Sequence, residues 1–173
     1  MSTHDAANKI VSKVEGRELT LERIFNAPRN LVFRAYSDVE QMKRWYAPPG
    51  WTLTVSSFSF RPGGVWHFCM KCLDENQPFF GHESWGKVVF REIVEPERIV
   101  YSDAFSDAEG NVPEGMAEAL ITLTFLEHVG KTKLIHHAQY PSEEALKSVI
   151  EMGMLQGMTA TWDSLEKFLE ENK

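Results

Sequence analysis

Apolar and polar residues alternate with a period of two along most of the chain up to residue 140, and the period lengthens to that of a helix after residue 142. "ELTLERIFN" (18–26) sets Leu19, Leu21 and the Ile24-Phe25 pair against charges and predicts the first strand. The polar residues 1–15 before it are expected to form a flexible segment. Asn26-Ala27-Pro28 stops the strand. Asn26 suits a helix cap and Pro28 a first helical turn, which predicts a short helix holding Leu31, Val32 and Ala35. Ser37 or Asp38 caps a second short helix through Trp45, and "APPGW" (47–51) breaks the chain. Six further strands follow: "WTLTVSSFSF" (51–60), "VWHFCMKC" (65–72), "FFGHESWGKVVFREI" (79–93), "RIVYSDAF" (98–105), "EALITLTF" (118–125) and "KTKLIHHAQ" (131–139). In 65–72, alternation puts Trp66, Phe68 and Met70 on one face and His67 and Lys71 on the other. Short turns between strands predict antiparallel pairing. The layout is β-αα-β6-α, a single α+β domain over residues 16–173 with a curved antiparallel sheet.

The last element is expected to be one helix from about Ser142, its cap, to Leu169. At 100° per residue, Leu146, Ile150, Gly153, Gly157, Thr161, Ser164 and Phe168 share one stripe. Met154, Met158 and Leu165 flank it on one side, Val149 and Ala160 on the other. The middle of the stripe is therefore lined by small residues, although each glycine inside a helix costs roughly 1 kcal/mol relative to alanine. Two arrangements account for such a trench. Large sheet side chains such as Trp66, Phe68 and Phe90 press against the helix backbone. Alternatively the trench roofs a cavity walled by aromatics and methionines and shaped for an apolar or amphipathic guest.

Composition narrows the function classes. Hydrophobic residues make up 43% and charged residues 25%, ordinary for a globular chain. The formal net charge of −7 disfavours nucleic acid and anionic membrane surfaces as partners. No long apolar run supplies a membrane span or a signal peptide, so a cytoplasmic location is expected; a homodimer remains open. Cys69 and Cys72 lie three apart in a predicted strand, on opposite faces, and are expected to be free structural thiols.

Chemistry-bearing residues are few. His136 is expected to face inward with Leu134 and Thr132, His82 shares parity with Phe80 and Ser84, and Tyr101 with Ile99 and Asp103. Brought together, His136, His82, Tyr101 and Asp103 would supply a general acid and base for an aldol-type cyclisation; apart, they satisfy one another or orient a polar group of a ligand. No nucleophile–base motif, metal signature or phosphate-cradling glycine loop is present, so no catalytic residue, metal or cofactor is expected.

Four motifs in order carry a family resemblance. "NAPRNLVFRAYSDVEQMKRWYAP" (26–48), "FRPGGVWHFCM" (60–70), "WGKVVFREIVEPERIVYSDAF" (85–105) and "TWDSLEKFL" (161–169) span most of residues 18–170. Together they resemble the START-like helix-grip superfamily that includes the birch-pollen allergen. Within it, they resemble the branch related to the C-terminal domain of the activator of the heat-shock chaperone ATPase. Thr161 departs from the glycine common before the closing tryptophan. The resemblance implies a sheet wrapped around a long C-terminal helix with an internal cavity. It also implies binding of a small hydrophobic or amphipathic molecule, co-chaperone stimulation of an ATPase, or cyclase/hydrolase chemistry on a polyketide-like substrate; fold alone does not choose among these. The expected ligand-contacting set is Trp66, Phe68, Met70, His82, Phe90, Tyr101, His136, Met154, Gly157 and Met158.

Overall fold

The inward rows of the strands explain the architecture. In the computed structural model, which describes residues 9–115 and 118–172, the chain runs β1 (Val11–Glu15), β2 (Glu18–Phe25), α1 (Arg29–Ser37), α2 (Val39–Trp45), β3 (Trp51–Phe58), β4 (Val65–Cys72), β5 (Glu83–Val94), β6 (Arg98–Phe105), β7 (Ala119–His128), β8 (Lys131–Gln139), α3 (Glu143–Glu151) and α4 (Met154–Glu171). The eight strands form one antiparallel sheet in the order β1-β2-β8-β7-β6-β5-β4-β3. Leu19, Leu21 and Phe25 of β2, Ile121, Leu123 and Phe125 of β7 and Leu134 and Ala138 of β8 are buried in alternation on the helix-facing side. Burial of such rows is the main driving force for the fold.

Local chemistry sets the helices. The Asp38 Oδ1 accepts from the Glu40 N–H at 3.0 Å, capping α2. Trp45 Nε1 donates to the Ala35 carbonyl at 3.1 Å, locking α2 to α1. The C-terminal half of α4 buries Trp162, Leu165, Phe168 and Leu169. Trp162 Nε1 donates to Tyr36 Oη at 3.0 Å, and the ring meets Phe25 edge-on at 5.7 Å. Arg23 faces inward from β2, with Phe25 beside it, and donates to Asp163 Oδ1 at 2.7 Å, tying β2 to α4. No helix among the described residues is long and apolar enough to cross a membrane.

Two expectations are corrected. Of the expected flexible segment, residues 1–8 lie outside the described residues, and Val11–Glu15 is a strand paired with Glu18–Glu22. Its residues are all exposed, so the sequence holds no inward apolar row to announce it. The single closing helix is two helices. Gly153 takes φ +92°, the left-handed conformation that ends α3, and its N–H bonds the Ile150 carbonyl at 3.0 Å. The first glycine of the stripe is thus a joint between helices and not a helix-interior residue. His67, on the face of β4 opposite Trp66, is buried there: its Nε2 lies 3.0 Å from the Asp107 carbonyl of the loop after β6 and its ring lies on Trp85.

Candidate functional site

A cavity of about 440 Å³ lies between the sheet and the joint of α3 and α4. Its walls come from β4 (Phe68, Met70), β5 (Ser84 to Gly86), the ends of β6 and β7 (Asp103 to Phe105, Ala119), Tyr46 and Tyr140, and from Val149, Met152 to Met154 and Gly157 of the helices. A Cβ placed on Gly157 would meet no atom within 4 Å. The glycine therefore borders open space, and the close-packed reading of the trench does not hold at this position. Gly86 has the opposite reason for being glycine: a Cβ there would lie 2.4 Å from the Phe68 ring, which crosses over its backbone. Phe105 and Met152 are exposed and line the same space, which puts the mouth between them.

Of the residues expected from sequence, Phe68, Met70, Met154 and Gly157 meet in this cavity. Trp66, Phe90 and Tyr101 line a neighbouring void of only about 10 Å³, on the far side of Tyr46, which borders both. That volume is of the order of one water molecule. Trp66 stacks on Phe68 at 4.3 Å, and its buried indole N–H has no acceptor among the described residues. Met158 is half-buried and packs on the core. His82 is exposed in the turn before β5, with its ring near Trp51 and Phe79; the parity argument fails because it lies outside the strand. His136 does point inward, toward Trp162 at 6.4 Å, and burial lowers its pKa to about 4, so it is neutral. His82, His136 and the neighbouring Tyr101 and Asp103 of β6 therefore lie in three separate places and do not form one acid–base group.

The sequence-derived binding set omits Asp103, although strand parity puts it on the inner face. Register sets Asp103 between Val88 of β5 and Ala119 of β7, so its cross-strand neighbours are apolar. Burial raises its carboxyl to about 6. Tyr46, Tyr101 and Tyr140 sit close enough for the carboxylate to push their phenols further up, beyond the larger effect of burial. Among the described residues no hydrogen bond or ion pair reaches the Asp103 carboxyl, and no group of three or more His, Cys, Asp or Glu converges as a metal site.

Comparison with known proteins agrees with this architecture. The crystal structure of Ms6760 from Mycobacterium smegmatis superposes with a TM-score of 0.82 at 26% identity, covering 93% of this chain and 95% of that one. A solution structure from Staphylococcus epidermidis gives a TM-score of 0.80 at 28% identity, over 94% and 95% of the two chains. One from Arthrobacter aurescens gives 0.83 at 24% identity, over 95% and 92%, and speaks to the fold alone. No curated protein matches the chain. The family model described as Activator of Hsp90 ATPase homolog 1-like protein matches residues 26–170. On that match, and on a curved antiparallel sheet gripping a C-terminal helix, the chain belongs to the Activator of Hsp90 ATPase homolog 1-like family, with the START-type helix-grip fold.

Proposed function

We propose that this protein binds a small, largely apolar molecule between the sheet and the α3–α4 joint. The cavity carries the reading: about 440 Å³ bounded by Phe68, Met70, Trp85, Met154 and the bare backbone of Gly157. That volume falls in the range of roughly 300–1,000 Å³ typical of small-molecule sites, and the lining is mostly apolar with a few polar groups. Methionines on the helix side adapt to guests of different shape. The test is displacement of an environment-sensitive hydrophobic dye, with native mass spectrometry of the gently purified protein. Saturable binding is expected, and Gly157→Phe, which fills the space, should weaken it at least tenfold, about 1.4 kcal/mol. Absence of uptake by a panel of apolar probes would remove the reading.

The family name favours a second reading, stimulation of a heat-shock chaperone ATPase. It would use the outer sheet face, where Leu120 and Leu126 of β7 are exposed. A chaperone ATPase assay at saturating protein decides it, and an unchanged rate would reject it.

A further inference from the structure

The cavity has a polar feature that its apolar walls make unusual. Its described lining contains one charged side chain, Asp103, and no lysine, arginine or histidine. The cross-strand register keeps it there: Asp103 stands beside Val88 and Ala119 in an inward row that continues to Trp66. Asp103 is the one charged residue in an inward row of β6 otherwise made of Ile99, Tyr101 and Phe105, and local rules are broken most often where a site is built. Leaving a carboxylate without a partner in a low-dielectric space is costly. A sodium or other cation held by the protein is not indicated, since the described lining of the cavity holds no second carboxylate.

Building on the small-molecule reading above, we propose that the cavity selects amphiphiles whose head is a protonated amine, seated against the Asp103 carboxylate, and rejects those whose head is a carboxylate. The apolar tail lies against Phe68, Met70 and Met154, and the head reaches Asp103 with the Tyr46 and Tyr140 side chains at its sides. A fatty acid in the same pose would put two like charges together in a space that screens them poorly, whereas an ammonium supplies the missing counter-charge and its hydrogen-bond donors. An alcohol head is intermediate, since it donates one hydrogen bond and carries no charge.

Titration of the same group supports the assignment. The groups facing Asp103 from the surrounding elements are Tyr46 after α2, Tyr101 on β6 and Tyr140 after β8, all held neutral by burial well into the alkaline range. Below neutrality Asp103 is therefore the titrating group of the cavity, with its pKa raised to about 6. Amine affinity should fall roughly tenfold from about pH 7 to about pH 5 as the carboxyl takes a proton.

Decylamine, decanol and decanoate form a matched series for calorimetric titration at about pH 7.5, on wild type and on the near-isosteric Asp103→Asn. The amine should bind at least about tenfold more tightly than decanoate, with decanol between. Asp103→Asn should compress the amine–carboxylate ratio to less than about threefold and remove the pH dependence, while leaving decanol within about twofold. Wild-type affinity for decanoate equal to or above that for the amine overturns the proposal and leaves the cavity reading in place. An amine preference that persists undiminished in Asp103→Asn also overturns it, because the acidic surface would then be its source. If the series and the dye panel all fail to bind wild type, the cavity reading falls first and takes the proposal with it. Should Asp103→Asn fail to fold, the wild-type ranking together with its fall between about pH 7 and about pH 5, above the range in which exposed carboxylates titrate, still decides the proposal; a ranking unchanged over that range overturns it.

Discussion

From Trp162 to Leu169, helix α4 encloses Trp162, Leu165, Phe168 and Leu169 so fully that none exceeds 6% exposure; from Met154 to Thr161 the same helix buries no residue. The first stretch is held by the Trp162–Tyr36 hydrogen bond, the Phe25 edge contact and the Arg23–Asp163 pair. The second begins at a left-handed glycine and passes over open space at Gly157. Packing density decides which stretch the fold depends on. A buried aromatic ring surrounded on all sides is worth several kcal/mol, and a surface bordering a void forfeits those contacts. On the proposed function, stability and binding fall to opposite ends of one helix, and altering one should have little effect on the other.

The largest expected effect is at the solid end. Trp162→Ala removes a fully buried ring and its hydrogen bond, and should lower unfolding stability by about 3–5 kcal/mol in denaturant titration. Where the variant is still folded, dye affinity should change less than about twofold, because Trp162 does not border the cavity. A large affinity loss in the folded variant would break the comparison.

The next effect contrasts the buried ionisable groups of the two regions. Asp103 faces the cavity with its pKa raised to about 6, whereas His136 faces Trp162 with its pKa lowered to about 4. The acid's raised pKa gives stability that is fully present below its unfolded value of 3.8 and lost as pH rises through about 6. The base's depressed pKa gives stability that is present above its unfolded value of 6.5 and lost as pH falls toward about 4. Across that window the two oppose each other, so wild-type stability should be nearly flat with respect to this pair. Asp103→Asn should leave a protein that weakens by about 2 kcal/mol on acidification from neutral to about pH 4. His136→Gln should reverse the slope. Thermal unfolding at several pH values checks both, and parallel profiles for the two variants would contradict the assignment.

The smallest effect is at the joint. Gly153→Ala forces a side chain into the left-handed region and should cost about 1 kcal/mol, read as a modest drop in melting temperature. Because Met152 and Met154 line the cavity on either side of Gly153, dye affinity should shift several-fold. An affinity identical to wild type would show that the joint has no part in shaping the site.

The sequence made the fold legible where a single face of a strand is buried. Leu19 and Leu21 in β2, or Leu134 and Ala138 in β8, announce themselves by period two. Strand β1 stayed hidden because its residues are all exposed and it joins the sheet by pairing with β2, which no apolar period announces. The break at Gly153 stayed hidden because the apolar period runs through it, and one dihedral angle decides the matter. In the site, parity placed Trp66, Phe68, Tyr101 and Asp103 correctly inward, but parity reports the face and not the depth. Tyr46 comes from a different part of the chain and closes Trp66, Phe90 and Tyr101 off from the cavity, an arrangement that no pattern within the strands encodes. His82 failed for a simpler reason: alternation has no meaning in a turn.

The ring of Phe68 lies over the bare backbone of Gly86, stacked on Trp66. One boundary of the chamber is therefore a phenyl group on a rotatable bond where a strand would otherwise present fixed main chain. On the proposed function a guest meets this ring where a strand would otherwise present main chain, so the shape of that wall is set by a torsion angle which the Trp66 stack holds in place.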